Sequence, residues 1–379
     1  KRERIMQYNT FKGLNISALG VGGMRFPTID GDYNKIDEAA TKEMFDYAFA
    51  NGVNYFDTAW GYHGGNSEII VGKILKNYPR NKFYLTSKFP GYDVSNMGKV
   101  KEIFEEQLKK CQVEYFDFYL IHNVCELNID GYLDAKHGIL EYLLEQKAAG
   151  RIKHFGFSTH GSLATVKRFL EVYGPHMEFC QIQLNWVDWQ LQDAKAKVEL
   201  LRELKLPIFV MEPVRGGKLA NLDAEYVEQL DKLRLGASVV EWCFRYVQSF
   251  PEVVVTLSGM SNLEQLKENI EIFKTNAPLN DGETSALLGI ADKIISKSSL
   301  PCTACRYCTA HCPKGLDIPY IIELYNDLVF TGGGFLAPMV ISSMAEEKRP
   351  SACVGCKACE AVCPQVIKIS DMMKDFTQR

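Results

Sequence analysis

The stretch VNYFDTAWGYHGGNSEIIVGKILK, residues 53 to 76, sets the reading of the chain. Its first five residues form a compact, largely apolar run of strand size. A loop rich in glycine and small residues follows, and from position 67 to 76 the apolar residues recur at spacings of three and four, the period of a helix. This is one strand-loop-helix unit. Working outward, strand-sized runs recur at 18–22, 82–88, 115–122, 152–158, 179–185, 207–211 and 253–258. Helical patterns lie at 40–50, 67–76, 98–110, 137–149, 162–172, 193–204, 236–249 and 262–273. Eight such units in roughly 270 residues match a (β/α)8 barrel in count and length. A doubly wound sheet would not need eight, and GVGG at 20–23 lacks the full dinucleotide-binding fingerprint. Residues 6–16 read as a hairpin turning near Lys12 and Gly13, ahead of the first unit.

In such barrels the active site is assembled at the C-terminal ends of the strands. Asp57, Lys88, His122, Ser158, Asn185 and Met211 all stand at or just past those ends. Each taken singly has an alternative role as a core polar group or turn residue, but they share one positional phase. Tyr62 joins Asp57, Lys88 and His122 from the loop after the second strand. A phenol with an ordinary pKa of about 10 serves as an acid for a developing alkoxide once its proton is easier to lose. A neighbouring ammonium is expected to lower that pKa, an aspartate to hold the lysine charged, and the histidine to orient the carbonyl oxygen.

The composition changes at Ser299. Cys302, Cys305, Cys308 and Cys312 precede Pro313, and Cys353, Cys356, Cys359 and Cys363 precede Pro364. Each run is C-x2-C-x2-C-x3-C-P, the ligand spacing of bacterial two-cluster ferredoxins. The resemblance implies two [4Fe-4S] clusters with crossed ligand sets. Cys302, Cys305 and Cys308 would join Cys363, and Cys353, Cys356 and Cys359 would join Cys312. Structural zinc is the alternative, since soft thiolates select it too, although zinc sites take paired C-x2-C knuckles. Of the remaining cysteines, Cys111, Cys180 and Cys243 read as buried small hydrophobes, and Cys125 as a residue that lines the site or packs beside it. The expected division is 1–277 for the barrel, 278–298 for a connecting helix and linker, and 299–379 for the iron-sulfur domain. The last of these includes a helix over 318–330, a flexible triplet at Gly332, Gly333 and Gly334, and a helix near 338–347.

FDTAWGYHGGNSEIIVGKIL (56–75), followed by Lys88 and by His122 with Asn123, resembles the aldo-keto reductase superfamily over residues 6 to 275. The resemblance implies Tyr62 as general acid, Lys88 and Asp57 as its partners, His122 as orienter of the substrate oxygen, and the hairpin as cap of the barrel floor. It also places a nicotinamide cofactor across the mouth. Ser158, Thr159 and Gln183 would hold its carboxamide, Met211 would lie by the nicotinamide, and Pro213, Arg215, Gly216 and Gly217 would lie over the pyrophosphate. Ser258, Gly259, Ser261, Gln265 and Asn269 would line the adenosine side. Met211 stands where many members carry a stacking tyrosine, and the usual Lys and Arg for a 2′-phosphate are missing. NADP(H) and NAD(H) therefore both stand, with FMN as the alternative in the cleft.

Members with a ferredoxin-like extension form a subset that this chain resembles over nearly its full length. The implied function is reduction of a small-molecule carbonyl or related substrate, with the clusters as a one-electron relay. Because nicotinamides exchange electrons in pairs and clusters singly, a flavin or an external flavoprotein or ferredoxin partner is called for. An electron-transfer protein using the barrel as scaffold, and a conventional reductase with structural clusters, are the alternatives. Trp60, Tyr92, Trp186 and Trp189 are candidate aromatic walls of the mouth, and Glu212 and Arg215 are either anion contacts or a local ion pair. The 379 residues carry 43 Lys and Arg against 47 Asp and Glu, a net −4, with no basic stripe, which argues against nucleic acid. No apolar run reaches the roughly 18 to 20 residues of a membrane span, and no signal-like stretch follows the charged start, so the expected location is cytoplasmic.

Overall fold

The structure, a computed structural model, describes residues 5–302, 305–334 and 336–379. Its chain forms two compact units, one ending at Ser285 and the other running from Ala286 to Arg379.

The first unit opens with an antiparallel hairpin of β1 (Tyr8–Phe11) and β2 (Leu14–Ser17). Lys12 at φ 47° and Gly13 at φ 84° make its two-residue turn, the left-handed pair that matches the twist of the flanking strands. Eight strands then close a barrel: β3 (Leu19–Gly22), β4 (Tyr55–Asp57), β5 (Tyr84–Phe89), β6 (Phe116–Val124), β7 (Ile152–Thr159), β8 (Cys180–Gln183), β9 (Ile208–Met211) and β10 (Val253–Ser258). Every neighbouring pair is parallel, and β10 returns to β3 with Thr256 opposite Leu19. The strands are buried on both faces, which is why they read as apolar runs rather than as alternation.

Helices follow the strands in order, among them Glu38–Ala50, Asn66–Leu75, Val100–Cys111 and Leu163–Tyr173. Several start on side-chain caps: Asp37 accepts from the Ala40 amide, Ser162 from Thr165 and Ser238 from Glu241. Helix Asn66–Leu75 lies hard against the end of Val100–Cys111 at Gly72, where a Cβ would fall 2.5 Å from the Cys111 carbonyl carbon. Only glycine permits that approach. The floor is closed by aromatic rings. Phe11 of the hairpin enters the barrel and meets Phe118, Phe179 and Phe209 at centroid distances of 5.4, 6.0 and 5.7 Å. With that end filled, the C-terminal ends of the strands form the open mouth.

The second unit contains helices Ile318–Thr331, Leu336–Ser343 and Ile369–Gln378. Gly332, in the left-handed region at φ 67°, caps the first of them, and the Gly334 amide donates to Thr331 Oγ1 at 3.0 Å. The triplet expected to be flexible is thus a defined helix stop. Helix Ile369–Gln378 is not among the expected elements, although Ile369, Met372, Met373 and Phe376 form its buried stripe. Helix Asp281–Ser298 spans the expected segment 284–296. Among the described residues no helix is long and apolar enough to cross a membrane.

Candidate active site

Asp57 ends β4 and Lys88 lies near the end of β5, so adjacent parallel strands bring the two side chains together. Lys88 Nζ donates to Asp57 Oδ1 at 2.6 Å and to the Thr58 carbonyl at 2.9 Å. The pair is almost sealed, with 0% and 3% side-chain exposure. Burial pushes the Asp57 carboxyl up and the Lys88 ammonium down, and their mutual contact opposes both shifts.

The Tyr62 ring sits over this pair, its centroid 5.0 Å from Lys88 Nζ. The loop that carries it is held by His63, which is completely buried. His63 Nε2 accepts the Phe26 amide at 3.1 Å, so the ring proton is on Nδ1 and points to the Tyr33 carbonyl at 2.6 Å. His63, Gly64 and Gly65 all take positive φ. At Gly61 a Cβ would lie 2.3 Å from Tyr92 Oη, so the absent side chain admits that phenol. The His122 ring stands edge-on to both Tyr62 and Tyr92, at 6.1 and 5.1 Å. The four residues expected at the site are therefore neighbours.

One expectation about them is corrected. Lys88 is expected to acidify the phenol of Tyr62, but burial pushes that phenol well above 10, reinforced by Asp57, the phenols of Tyr33 and Tyr92, and Glu212. The ammonium is bonded to Asp57 and Thr58 rather than to the phenol, so desolvation prevails. His122 is driven well below 6.5 by burial, then by the charge of Lys88 and by His160. Its Nδ1 is buried and has no hydrogen-bond partner among the described residues. The site thus presents a protonated phenol and a neutral imidazole side by side.

A cleft of about 550 Å³ opens between the loop after β9 and the end of β10. Pro213, Gly216 and Gly217 line one wall, and Ser258, Gly259, Ser261, Gln265 and Asn269 line the other. The Ser261 amide donates to Gln265 Oε1 at 2.8 Å. Met211 and Arg215 do not line this cleft. Arg215 turns inward, and its Nε donates to Asp188 Oδ1 at 3.0 Å. Asp188 also accepts from Gln183 Nε2 and Asn185 Nδ2, each at 2.6 Å. The cation in the cleft lining is Arg25, absent from the sequence reading, whose Nη2 lies 3.7 Å from Glu212 Oε1. A Cβ on Gly216 would stand 2.7 Å from that same nitrogen.

Ser158 and Thr159 end β7 and brace the end of β6. Ser158 Oγ accepts the Asn123 amide at 2.9 Å, and Thr159 Oγ1 donates to the Val124 carbonyl at 2.7 Å. Met211 lies 3.6 Å through its sulfur from Gln181 Nε2. Among the candidate aromatic walls, Trp186 is fully buried with its Nε1 at 3.3 Å from Cys243 Sγ, so it is core. Trp189 packs on Tyr246 and Phe250. Cys111, Cys180 and Cys243 are buried, and burial raises the Cys125 thiol to about 11.

In the second unit Cys312, Cys353, Cys356 and Cys359 line a single cavity with Leu316, Ile318, Ile369 and Met373. The cysteines that act electrostatically on Cys308 are Cys302, Cys305 and Cys363, and those acting on Cys359 are Cys353 and Cys312. Among the described residues no three His, Cys, Asp or Glu converge to hold a single ion. Four thiols around an apolar-walled cavity are the donor set a [4Fe-4S] cluster takes.

Comparison with known proteins decides the family. The profile of the Aldo/keto reductase family matches residues 18–291. The chain belongs to that family. A second profile, described as a 4Fe-4S dicluster domain, matches residues 301–368, so the reductase barrel is followed by a 4Fe-4S domain. A probable aldo-keto reductase 1 of Glycine max is 28% identical over 296 residues, covering 68% of this chain and 81% of that protein. An NADH-specific methylglyoxal reductase of Escherichia coli is 22% identical over 325 residues, covering 74% and 94% respectively. Among solved structures, the holo form of aldo-keto reductase AKR11C1 from Bacillus halodurans superposes with a TM-score of 0.61 at 22% identity, covering 75% of this chain and 96% of that one. At that identity the likeness speaks for the barrel alone.

Proposed function

We propose that this aldo-keto reductase reduces a small carbonyl compound, or a related substrate, with a nicotinamide cofactor, and that its C-terminal thiols hold two [4Fe-4S] clusters that relay single electrons. The observation that carries the first half is the sealed Asp57–Lys88 pair under the Tyr62 ring, with a neutral His122 beside it. When bound, the nicotinamide supplies a hydride to the carbonyl carbon. Tyr62 hands its proton to the oxygen as charge develops there. The neutral imidazole of His122 offers a donor that fixes where that oxygen sits, and Lys88, kept charged by Asp57, stabilises the phenolate left behind. The walls at Gly216, Gly217 and Gly259 and the guanidinium of Arg25 suit a dinucleotide's diphosphate, since bare backbone admits phosphate and a cation balances it.

Cys302, Cys305, Cys308 and Cys363 would hold one cluster, and Cys353, Cys356, Cys359 and Cys312 the other. The clusters would supply one-electron exchange, which a hydride donor reaches through FMN or through an external flavoprotein or ferredoxin. We place the protein in the cytoplasm, where thiols stay reduced. The experiment is an anaerobic visible spectrum of the isolated protein, titrated with NADH and NADPH and then with methylglyoxal as probe carbonyl. Oxidation of a nicotinamide by the carbonyl, with bleaching of the iron-sulfur absorbance, is the expected result. Turnover with clusters that stay oxidised, both alone and with an added flavoprotein reductase, would remove the relay. No turnover with any of a panel of aldehydes and ketones would remove the reductase.

A further inference from the structure

Close to Lys88 lies a second buried carboxylate. Glu68 sits in the first turn of helix Asn66–Leu75 and is completely buried. An uncompensated carboxylate there would cost several kcal/mol; burial pushes the Glu68 carboxyl up, Ser87, Lys110 and Gln107 oppose that shift, and Oε2 has no hydrogen-bond partner among the described residues. Ser87 Oγ donates to Glu68 Oε1 at 2.6 Å, Gln107 Nε2 donates to the same oxygen at 2.7 Å, and Lys110 Nζ stands 3.6 Å from Oε2. Gln107 Nε2 also reaches the main-chain carbonyl of Lys88 at 2.9 Å, and Tyr119 Oη donates to Gln107 Oε1 at 2.6 Å, which settles which way round the amide lies. The close approach at Gly72 sets the helix bearing Glu68 beside the helix bearing Gln107.

We propose that Glu68 is the positioning residue for Lys88, holding the backbone of β5 through Gln107 and Ser87 and supplying a second negative charge near the ammonium. The same carboxylate reaches the loop of Tyr62 by another route. Lys110, paired with Glu68, lies 3.8 Å over the ring of Trp60, two residues before Tyr62. One buried anion thus ties together the strand that carries the lysine and the loop that carries the phenol. Asp57 and the Thr58 carbonyl bond Lys88 Nζ directly, and Glu68 is among the charges that favour its protonated form. The titratable and charged groups facing Glu68 are Lys110 and Cys111 from helix Val100–Cys111, Lys88 from β5, Tyr92 from the loop after β5, and Tyr119 from β6. This inference rests on the reading of Lys88 as a member of the reductive site.

The test is Glu68→Gln in the intact holoprotein, a near-isosteric change that removes the charge. Lys88 is followed by ε-carbon NMR of labelled lysine across pH, a readout that needs no turnover. The variant should titrate Lys88 at least about one unit lower, a tenfold change in its protonation equilibrium. Its kcat should fall by about tenfold or more, while the KM for nicotinamide holds, and Glu68→Asp should recover part of the loss. Unchanged Lys88 titration in a folded Glu68→Gln protein overturns the proposal. If that variant does not fold, Ser87→Ala takes its place, removing one donor and leaving the carboxylate, and a wild-type Lys88 titration and kcat there count equally against it. A wild-type protein that reduces no carbonyl would sink the proposed function, and the lysine titration would still decide the role of Glu68.

Discussion

Replacing Lys88 by methionine isolates the energetics of the buried pair. The substitution keeps most of the side-chain volume and removes the ammonium bonded to Asp57, leaving a carboxyl 3% exposed with nothing to offset its desolvation. Breaking a buried pair by deleting one partner costs about 3–5 kcal/mol, because the survivor is stranded. At roughly 2 °C per kcal/mol for a unit of this size, the barrel transition should move down by roughly 6–10 °C near pH 8. The loss should depend on pH in a defined direction. Burial already pushes Asp57 up, and without Lys88 nothing opposes it, so the folded carboxyl titrates above its unfolded value of about 3.9. Below that value both states are protonated and the penalty is small. It grows as pH rises toward the folded pKa and is complete above it. Asp57→Asn combined with Lys88→Met removes both charges and should regain most of the stability. Near-ultraviolet circular dichroism of wild type, Lys88→Met, Asp57→Asn and the double variant, melted at pH 5 and pH 8, reads the cycle. A single variant within about 2 °C of wild type at pH 8, or a double variant as unstable as the sum of the singles, would refute the reasoning.

Three further outcomes are expected. Tyr62→Phe should lower kcat by about 10²- to 10⁴-fold, the scale of a lost general acid, with nicotinamide affinity unchanged by fluorescence titration. Because His122 is held well below 6.5 and Tyr62 well above 10, kcat/KM for carbonyl reduction should be flat between about pH 6 and 9; an acid limb near 6.5 that disappears in His122→Asn would contradict it. The crossed thiol sets predict that Cys312→Ala and Cys312→Ala/Cys356→Ala lose the same cluster and keep about four irons per chain, whereas Cys312→Ala/Cys305→Ala loses both, measured by iron analysis and EPR of the reduced protein.

Much of the barrel is legible because its signals are local. A parallel strand buried on both faces must be apolar throughout, and β10 at Val253–Ser258 coincides with the expected run. Elsewhere the runs overshoot. Val53 and Asn54 are apolar-flanked and extended in the reading, yet β4 begins only at Tyr55, because the ladder to β5 starts there. Helix Ala224–Asp231 is missing from the reading, since it lies inside a connection rather than after a strand. Helix Ile369–Gln378 carries a readable stripe at 369, 372, 373 and 376, but the neighbouring cysteine motif is the stronger signal and masks it.

The site divides along the same line between local and distant causes. That Asp57, Lys88 and His122 converge follows from strand ends alone, so their identities could be read in order. The protonation of Tyr62 could not, because it is a balance between the desolvation of a whole loop and one ammonium already bonded elsewhere. Arg25 and Arg215 show the limit most plainly. Both are arginines beside glycine-rich turns, and the sequence favours Arg215 for the cleft. What turns it inward is Asp188, 27 positions earlier, itself fixed by Asn185 and Gln183. Once Asp188 binds that guanidinium, the cleft is left with Arg25 as the cation in its lining, paired with Glu212. Which arginine faces the cleft is therefore decided by a carboxylate outside its lining.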